Sequence, residues 1–187
     1  MKDQCRFPPA HGDSMTNDKS ESDARAAANQ SHVDNDAVES AGRAQVAAGI
    51  ERGVTRLLIA HGIATVSELP LPDGRRADVV GLSDRGIITV VEIKSSVADF
   101  RSDQKWTEYR NYCDRLFFAV GTDFPADILP ADAGLILADR YGGAIVRDAP
   151  THPLAAARRK AMITRFGRAA AARLGKTRDS GLNIDAI

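Results

Sequence analysis

Within Arg75–Lys94, RRADVVGLSDRGIITVVEIK, three side chains have the types and spacing to do chemistry together: Asp78, Glu92 and Lys94. The intervening Asp84-Arg85-Gly86 suits a three-residue hairpin loop, a type I turn followed by a left-handed residue where glycine is wanted, so Ser83 should pair with Ile87. That register sets Asp78 opposite Glu92, Arg76 opposite Lys94 and Val80 opposite Val90 on one face, with Ala77, Val79, Thr89, Val91 and Ile93 on the other. Directly opposed Cβ atoms lie about 5 Å apart, and two carboxylates that close repel by roughly 3 kcal/mol at an effective dielectric constant of about 20. A divalent cation turns the repulsion into chelation, and convergent hard oxygen ligands are what Mg2+ or Mn2+ selects. Lys94, two residues beyond Glu92 on the same face, can then orient or deprotonate an attacking water and neutralise charge building on a phosphate. The plainer alternative is a solvated strand face on which Asp78 pairs with Arg76 or Lys94 for modest gain.

The elements that must position these groups follow from periodicity and turn chemistry. Over Ala44–His61 the apolar residues Val46, Ile50, Val54, Leu57 and Leu58 recur at steps of three and four, and Gly62 stands where a C-cap glycine belongs, which predicts a first helix. Three β-like runs follow, Ile63–Leu69, Arg75–Ser83 and Ile87–Lys94, separated by turn residues at 70–74 and 84–86, and predict a meander. Ser96 with Asp99 three residues on resembles a capping box that opens a second helix over Val97–Cys113. Leu116–Gly121, Ala133–Ala138 and Ala144–Arg147 read as further strands, and Leu154–Leu174 as a last helix. The expected fold class is α/β or α+β, a mixed sheet flanked by helices.

The 187 residues, with 25 basic and 25 acidic side chains and 43% hydrophobic content, describe one domain plus some tail. Residues 1–41 hold eight acids against four bases and almost no large apolar groups, so they are expected to form a disordered acidic tail. The folded domain is expected over 42–175, mildly basic and suited to a polyanionic partner, with a frayed tail over 176–187. No apolar run approaches the ~20 residues that span a bilayer, and residues 1–11 carry charges and prolines where a signal peptide needs an apolar stretch. Neither a membrane protein nor a secreted one is expected. Cys5 and Cys113 cannot build a disulfide framework or a thiolate zinc site, which points to the cytoplasm. The four histidines lack ligand spacing, and phosphate loops, dinucleotide fingerprints and nucleophile elbows are all missing.

With these residues in view, Asp78 followed by Glu92-Ile93-Lys94 resembles the motif of the PD-(D/E)XK nuclease superfamily, and the α-β-β-β-α-β order fits its restriction-endonuclease-like core. More specifically, Glu68 through Arg75-Arg76-Ala77-Asp78, then VEIKSS, KWTEYRNYCDRLFFAV and GLILAD, resemble the MmcB family of DNA repair proteins over about Ala44–Leu174. The superfamily resemblance implies Mg2+- or Mn2+-dependent phosphodiester hydrolysis, with Asp78, Glu92 and Lys94 catalytic and Asp78 and Glu92 holding the metal. The family resemblance implies DNA, and with it other repair proteins, as partners. Two positions depart from the pattern: Ala77 replaces a proline often found before the first acid, and Lys105 stands where RecB-type nucleases have glutamine four residues before Tyr109. A non-hydrolysing DNA-binding or scaffold protein on the same fold is the competing class, and a plain regulatory domain a third.

Around this core, Glu68 at the end of the first strand either adds a third carboxylate to the metal site or pairs with Arg75 or Arg76. Glu51 occupies the helix from which the superfamily often contributes an acid. Lys105 is a good phosphate contact one helical turn from Tyr109, and Arg76 and Arg101 are candidate DNA contacts. Trp106, Tyr109 and Tyr112 either stack on unpaired bases or form a core stripe. Arg158, Arg159, Lys160, Arg165, Arg168 and Arg173 on the last helix serve either as an electrostatic track for DNA or as a solubilising surface.

Overall fold

The structure, a computed structural model, describes residues 19–103 and 105–183, with side chains from residue 38 onward. Helix α1 spans Lys19–Ala60. It is followed by strands β1 (Ala64–Pro70), β2 (Arg76–Leu82) and β3 (Ile88–Lys94), helix α2 (Val97–Ser102) and a 3-10 turn over Trp106–Asn111. Strands β4 (Arg115–Val120), β5 (Gly134–Ala138) and β6 (Gly143–Arg147) and helix α3 (Ala156–Arg178) complete the chain. The six strands form one sheet in sequence order. The β3–β4 and β4–β5 pairs are parallel, and the other three are antiparallel. The class is therefore α+β with a mixed sheet flanked by helices. None of the described helices is long and apolar enough to cross a membrane.

The β2–β3 hairpin has the register that its loop dictates. Ser83 N–H donates to Ile87 O at 3.1 Å and Gly86 N–H to Ser83 O at 3.0 Å, with Gly86 at φ +72 as the left-handed residue. Pairing then runs Leu82–Ile88, Gly81–Thr89, Val80–Val90 and Val79–Val91. The ladder stops there. The Asp78 carboxylate takes the Ile93 N–H at 2.7 Å, so neither the expected Asp78–Glu92 pair nor the expected Arg76–Lys94 pair forms in the ladder. Strict alternation ends with the ladder: Ala77, expected beside Val79, packs instead with Val80 and Val90.

Both sheet faces are covered. Ile50, Val54 and Leu58 of α1 pack on Val79, Val91 and Ile93, while Met162 and Phe166 of α3, with Tyr109 and Cys113, cover Val80, Val90 and Leu116. Val46, expected on the apolar stripe of the first helix, is 50% exposed, because the buried seam begins one turn later. Gly53 is required where α1 crosses the β5–β6 turn: a Cβ there would lie 2.1 Å from Asp139 O. Helix α1 ends as expected, in a Schellman arrangement with Gly62 N–H on Ile59 O and Ile63 N–H on Leu58 O.

Three boundaries differ from expectation. Helix α1 starts at Lys19 rather than Ala44, and alanine, the best helix former, supplies what an apolar stripe does not. The tail expected to be disordered over 1–41 lies outside the described residues up to residue 18, and outside the described side chains up to residue 37. The predicted Val97–Cys113 helix breaks at Asp103–Lys105: Asp103 leaves helical geometry and accepts the Lys105 N–H at 3.2 Å, as a turn-forming aspartate does. Helix α3 runs on to Arg178, four residues past its expected end; of the frayed segment expected over 176–187, residues 184–187 lie outside the described region.

Candidate active site

Glu92 and Lys94 lie on the most buried strand of the sheet, every residue of which is enclosed, so their charges enter the interior because of where β3 runs. Glu92 is 3% exposed and Lys94 5%. Asp78 is half-buried near the start of β2, one carboxylate oxygen fixed by the Ile93 amide. These three side chains line one cavity of about 780 Å³ with Glu51, Glu68, Asp99, Asp103, Lys105 and Tyr109.

Burial raises the Glu92 carboxyl to about 8, and the neighbouring Asp78 carboxylate adds to the rise, against the opposing pull of Lys94, the Asp78 amide and the Tyr109 hydroxyl. Asp78 is raised as well, first by burial; the Ile93 N–H and Lys94 hold it back, while Asp99 and Glu51 push it further. Two acids thus compete for one low-dielectric space. Glu92 Oε1 is buried and has no hydrogen-bond partner, an arrangement that costs folding roughly 1–3 kcal/mol or more if nothing satisfies it. A hard cation between the two carboxylates would satisfy that oxygen and remove the repulsion, so the donor set fits Mg2+ or Mn2+.

Lys94 does not turn toward either acid of the pair as a direct ion partner. Its ammonium meets Asp103 Oδ2 at 2.7 Å, within a half-turn that Asp103 also organises. Asp99 accepts from Ser95 N–H at 3.0 Å while its own N–H goes to Ser96 Oγ at 3.2 Å, so the predicted capping motif is present with its return bond one residue earlier than a capping box has it.

The remaining candidates divide. Glu68 lines the cavity at a left-handed φ of +45, but its carboxylate pairs with Arg76 at 3.3 Å, and among the described residues three His, Cys, Asp or Glu side chains nowhere converge as a metal cluster. The pair Asp78 and Glu92 is what the structure brings together, rather than a carboxylate triad. Lys105 and Tyr109 both line the cavity, although not through the helical turn expected, because a 3-10 segment replaces it. Tyr109 is only 8% exposed; its hydroxyl donates to Arg76 O at 3.4 Å and Arg75 stacks over its ring at 5.7 Å, so it is a wall of the site rather than a groove-facing contact. Arg76 and Arg101 do not line the cavity. Trp106 packs edge-on to Phe118 at 5.4 Å, which places it with the core.

Asp99 and Asp103 are the site residues that the sequence reading passed over, and the available signal was their spacing from Lys94 just after the strand end. Asp114 was also missed. It is 1% exposed, accepts Ile88 and Leu154 N–H groups and forms a two-point pair with Arg159 at 2.6 and 2.7 Å, tying the β3 entrance to α3.

A family model described as DNA repair protein MmcB-like matches residues 34–181. A solved structure of a protein of unknown function from Silicibacter pomeroyi is 49% identical, with a TM-score of 0.72, over 75% of this chain and 97% of that one. No curated protein matches.

Proposed function

The chain belongs to the MmcB-like family of DNA repair proteins, and from that premise we propose that Asp78, Glu92 and Lys94 form a Mg2+- or Mn2+-dependent deoxyribonuclease site on a restriction-endonuclease-like PD-(D/E)XK core. The observation that carries the reading is the orphaned Glu92 Oε1, buried beside a second carboxylate and facing a cavity. Asp78 and Glu92 would hold the ion. When bound, it would lower the pKa of a coordinated water and stabilise charge on the phosphoryl oxygens and the leaving alkoxide. Asp78 is pre-aimed by the Ile93 amide, which limits the reorganisation that ligation requires. Glu92 must give up its proton to act as a ligand, so occupancy should rise as pH climbs toward 8. Lys94, buried and held by Asp103, supplies a fixed positive charge to orient the water and offset the phosphate. Lys105, at the cavity wall, would contact the substrate backbone.

The test is incubation with labelled single-stranded, duplex and branched DNA plus Mn2+, using wild type, Asp78→Ala and Lys94→Ala. Cleavage by wild type alone supports the reading. Equal inertness of all three proteins, with DNA binding retained, supports the second reading, a DNA-binding scaffold on the same fold. The Lys94–Asp103 pair favours that alternative, since it neutralises the lysine that catalysis would use.

A further inference from the structure

The turn that joins β5 to β6 is Asp139-Arg140-Tyr141-Gly142, and its backbone is fastened both from within and from α1. Asp139 N–H donates to Gly142 O at 2.9 Å, and the Asp139 carboxylate accepts the Tyr141 and Gly142 N–H groups at 2.7 and 3.0 Å. Across from them, Arg56 Nη1 donates to Arg140 O at 2.9 Å and to Tyr141 O at 3.1 Å. A backbone this firmly held displays two large side chains to solvent. Tyr141 is 69% exposed, and the Arg140 guanidinium lies over its ring at 4.8 Å, which leaves the rest of the ring as an open aromatic surface. Among the described residues neither Arg56 nor Arg140 joins an ion pair, so two guanidiniums stand against the one carboxylate of Asp139. Tyr141 also walls a recess of about 450 Å³ with Thr122, Leu137, Gly142, Gly143 and Ala144, within the roughly 300–1,000 Å³ of small-ligand sites.

Strand register fixes where this turn stands relative to the carboxylate pair. Lys94 pairs with Val120 and Val120 with Leu137, one row across the carboxyl ends of the three parallel strands. Lys94 lines the acidic cavity and Leu137 the recess, two strand spacings apart, or about 10 Å. At about 3.4 Å per nucleotide of one strand, that is the span of roughly three nucleotides. We propose that the Arg140–Tyr141 turn and its recess hold one unpaired base of a DNA strand whose phosphate, some three nucleotides away, meets Asp78 and Glu92. Tyr141 stacks on the base, and Arg140 supplies charge to the adjoining backbone. The substrate at this end of the sheet is then single-stranded, because a base inside a duplex cannot reach the ring.

This rests on the reading of DNA as substrate, and the experiment separates the two. Anisotropy of fluorescein-labelled dT20, and of the same strand annealed to dA20, is measured with the full chain in EDTA across a salt series. The proteins are wild type, Tyr141→Leu, Tyr141→Phe and Arg85→Gln; Arg85 is an exposed base on the β2–β3 loop, at the amino end of β3 and away from the turn. For Tyr141→Leu the expected result is at least about 5-fold weaker binding of the single strand, an unchanged salt slope and unchanged duplex binding, since a stacking contact is lost and no phosphate contact. Tyr141→Phe, which keeps the ring, should stay within about 2-fold of wild type, as should Arg85→Gln. Wild-type binding that Tyr141→Leu leaves unaltered, or weakens equally for strand and duplex, overturns the base site alone. Equal weakening by Arg85→Gln overturns its location, and failure of wild type to bind either DNA overturns the base site together with the nuclease reading.

Discussion

Replacing Glu92 with glutamine should make the metal-free protein more stable, and increasingly so as the pH rises. The native carboxyl titrates at about 8 against an ordinary 4.5, so folding takes up a proton and the stabilisation is complete only below about 4.5. As pH climbs through 8 that contribution is lost. At about 1.4 kcal/mol per tenfold change in proton affinity, the penalty is about 1 kcal/mol near pH 5, roughly 3 at pH 7 and close to 5 above pH 9. Glutamine does not titrate, and whatever its amide costs is constant with pH. Urea denaturation in EDTA should therefore show the variant gaining about 4 kcal/mol on wild type between about pH 5 and pH 9. Mn2+ should narrow the gap: at about 100 times its dissociation constant it stabilises wild type by about 2.7 kcal/mol and leaves the glutamine variant unmoved. Parallel stability curves for the two proteins across the pH range would refute the claim that Glu92 is an acid held in a hostile site.

Further outcomes follow from the same geometry. Lys94→Met should keep Mn2+ binding and lose at least about 100-fold in DNA cleavage under single-turnover conditions, since the change removes a fixed charge and no ligand. Asp114→Ala should cost roughly 3–5 kcal/mol by urea titration, because it strips Arg159 and two backbone amides of their acceptor. Asp114 is held below the usual carboxylate range, against its own burial, by Arg159 and by the Ile88 and Leu154 amides, so that stability is present above ordinary aspartate values and drains away as pH falls through the depressed one; acid titration should show wild type losing ground while the alanine variant does not. Gly86→Ala forces a side chain to φ +72 and should destabilise the hairpin by about 1 kcal/mol by thermal melting, with strand pairing unchanged.

The hairpin was readable because its register depends on local chemistry: an Asp-Arg-Gly loop and two runs of alternating residues fix which side chains face each other. The strand positions of β1 through β6 were legible for the same reason. What escaped depends on tertiary contacts. The break after Ser102 is created by Asp103, whose side chain serves Lys94 and the Lys105 amide at once, and no helical period encodes a partner nine residues upstream. The loss of alternation at Ala77 arises because Asp78 bonds a strand backbone instead of continuing the ladder. Glu68 could be placed at the strand end, but the choice between metal ligand and Arg76 partner was decided by a left-handed backbone that a sequence of ordinary residues does not announce. The last helix read as either a track or a solubilising surface, and the fate of its arginines was set by where β1 offers carbonyls.

The most direct measurement is anomalous scattering at the manganese edge from a crystal soaked in Mn2+ at about pH 8. A single peak within ordinary ligand distance of both Asp78 and Glu92, absent from crystals of the Glu92→Gln variant, is the predicted result. A soaked crystal with no density between these carboxylates, or with Lys94 swung across to neutralise them, would contradict the account.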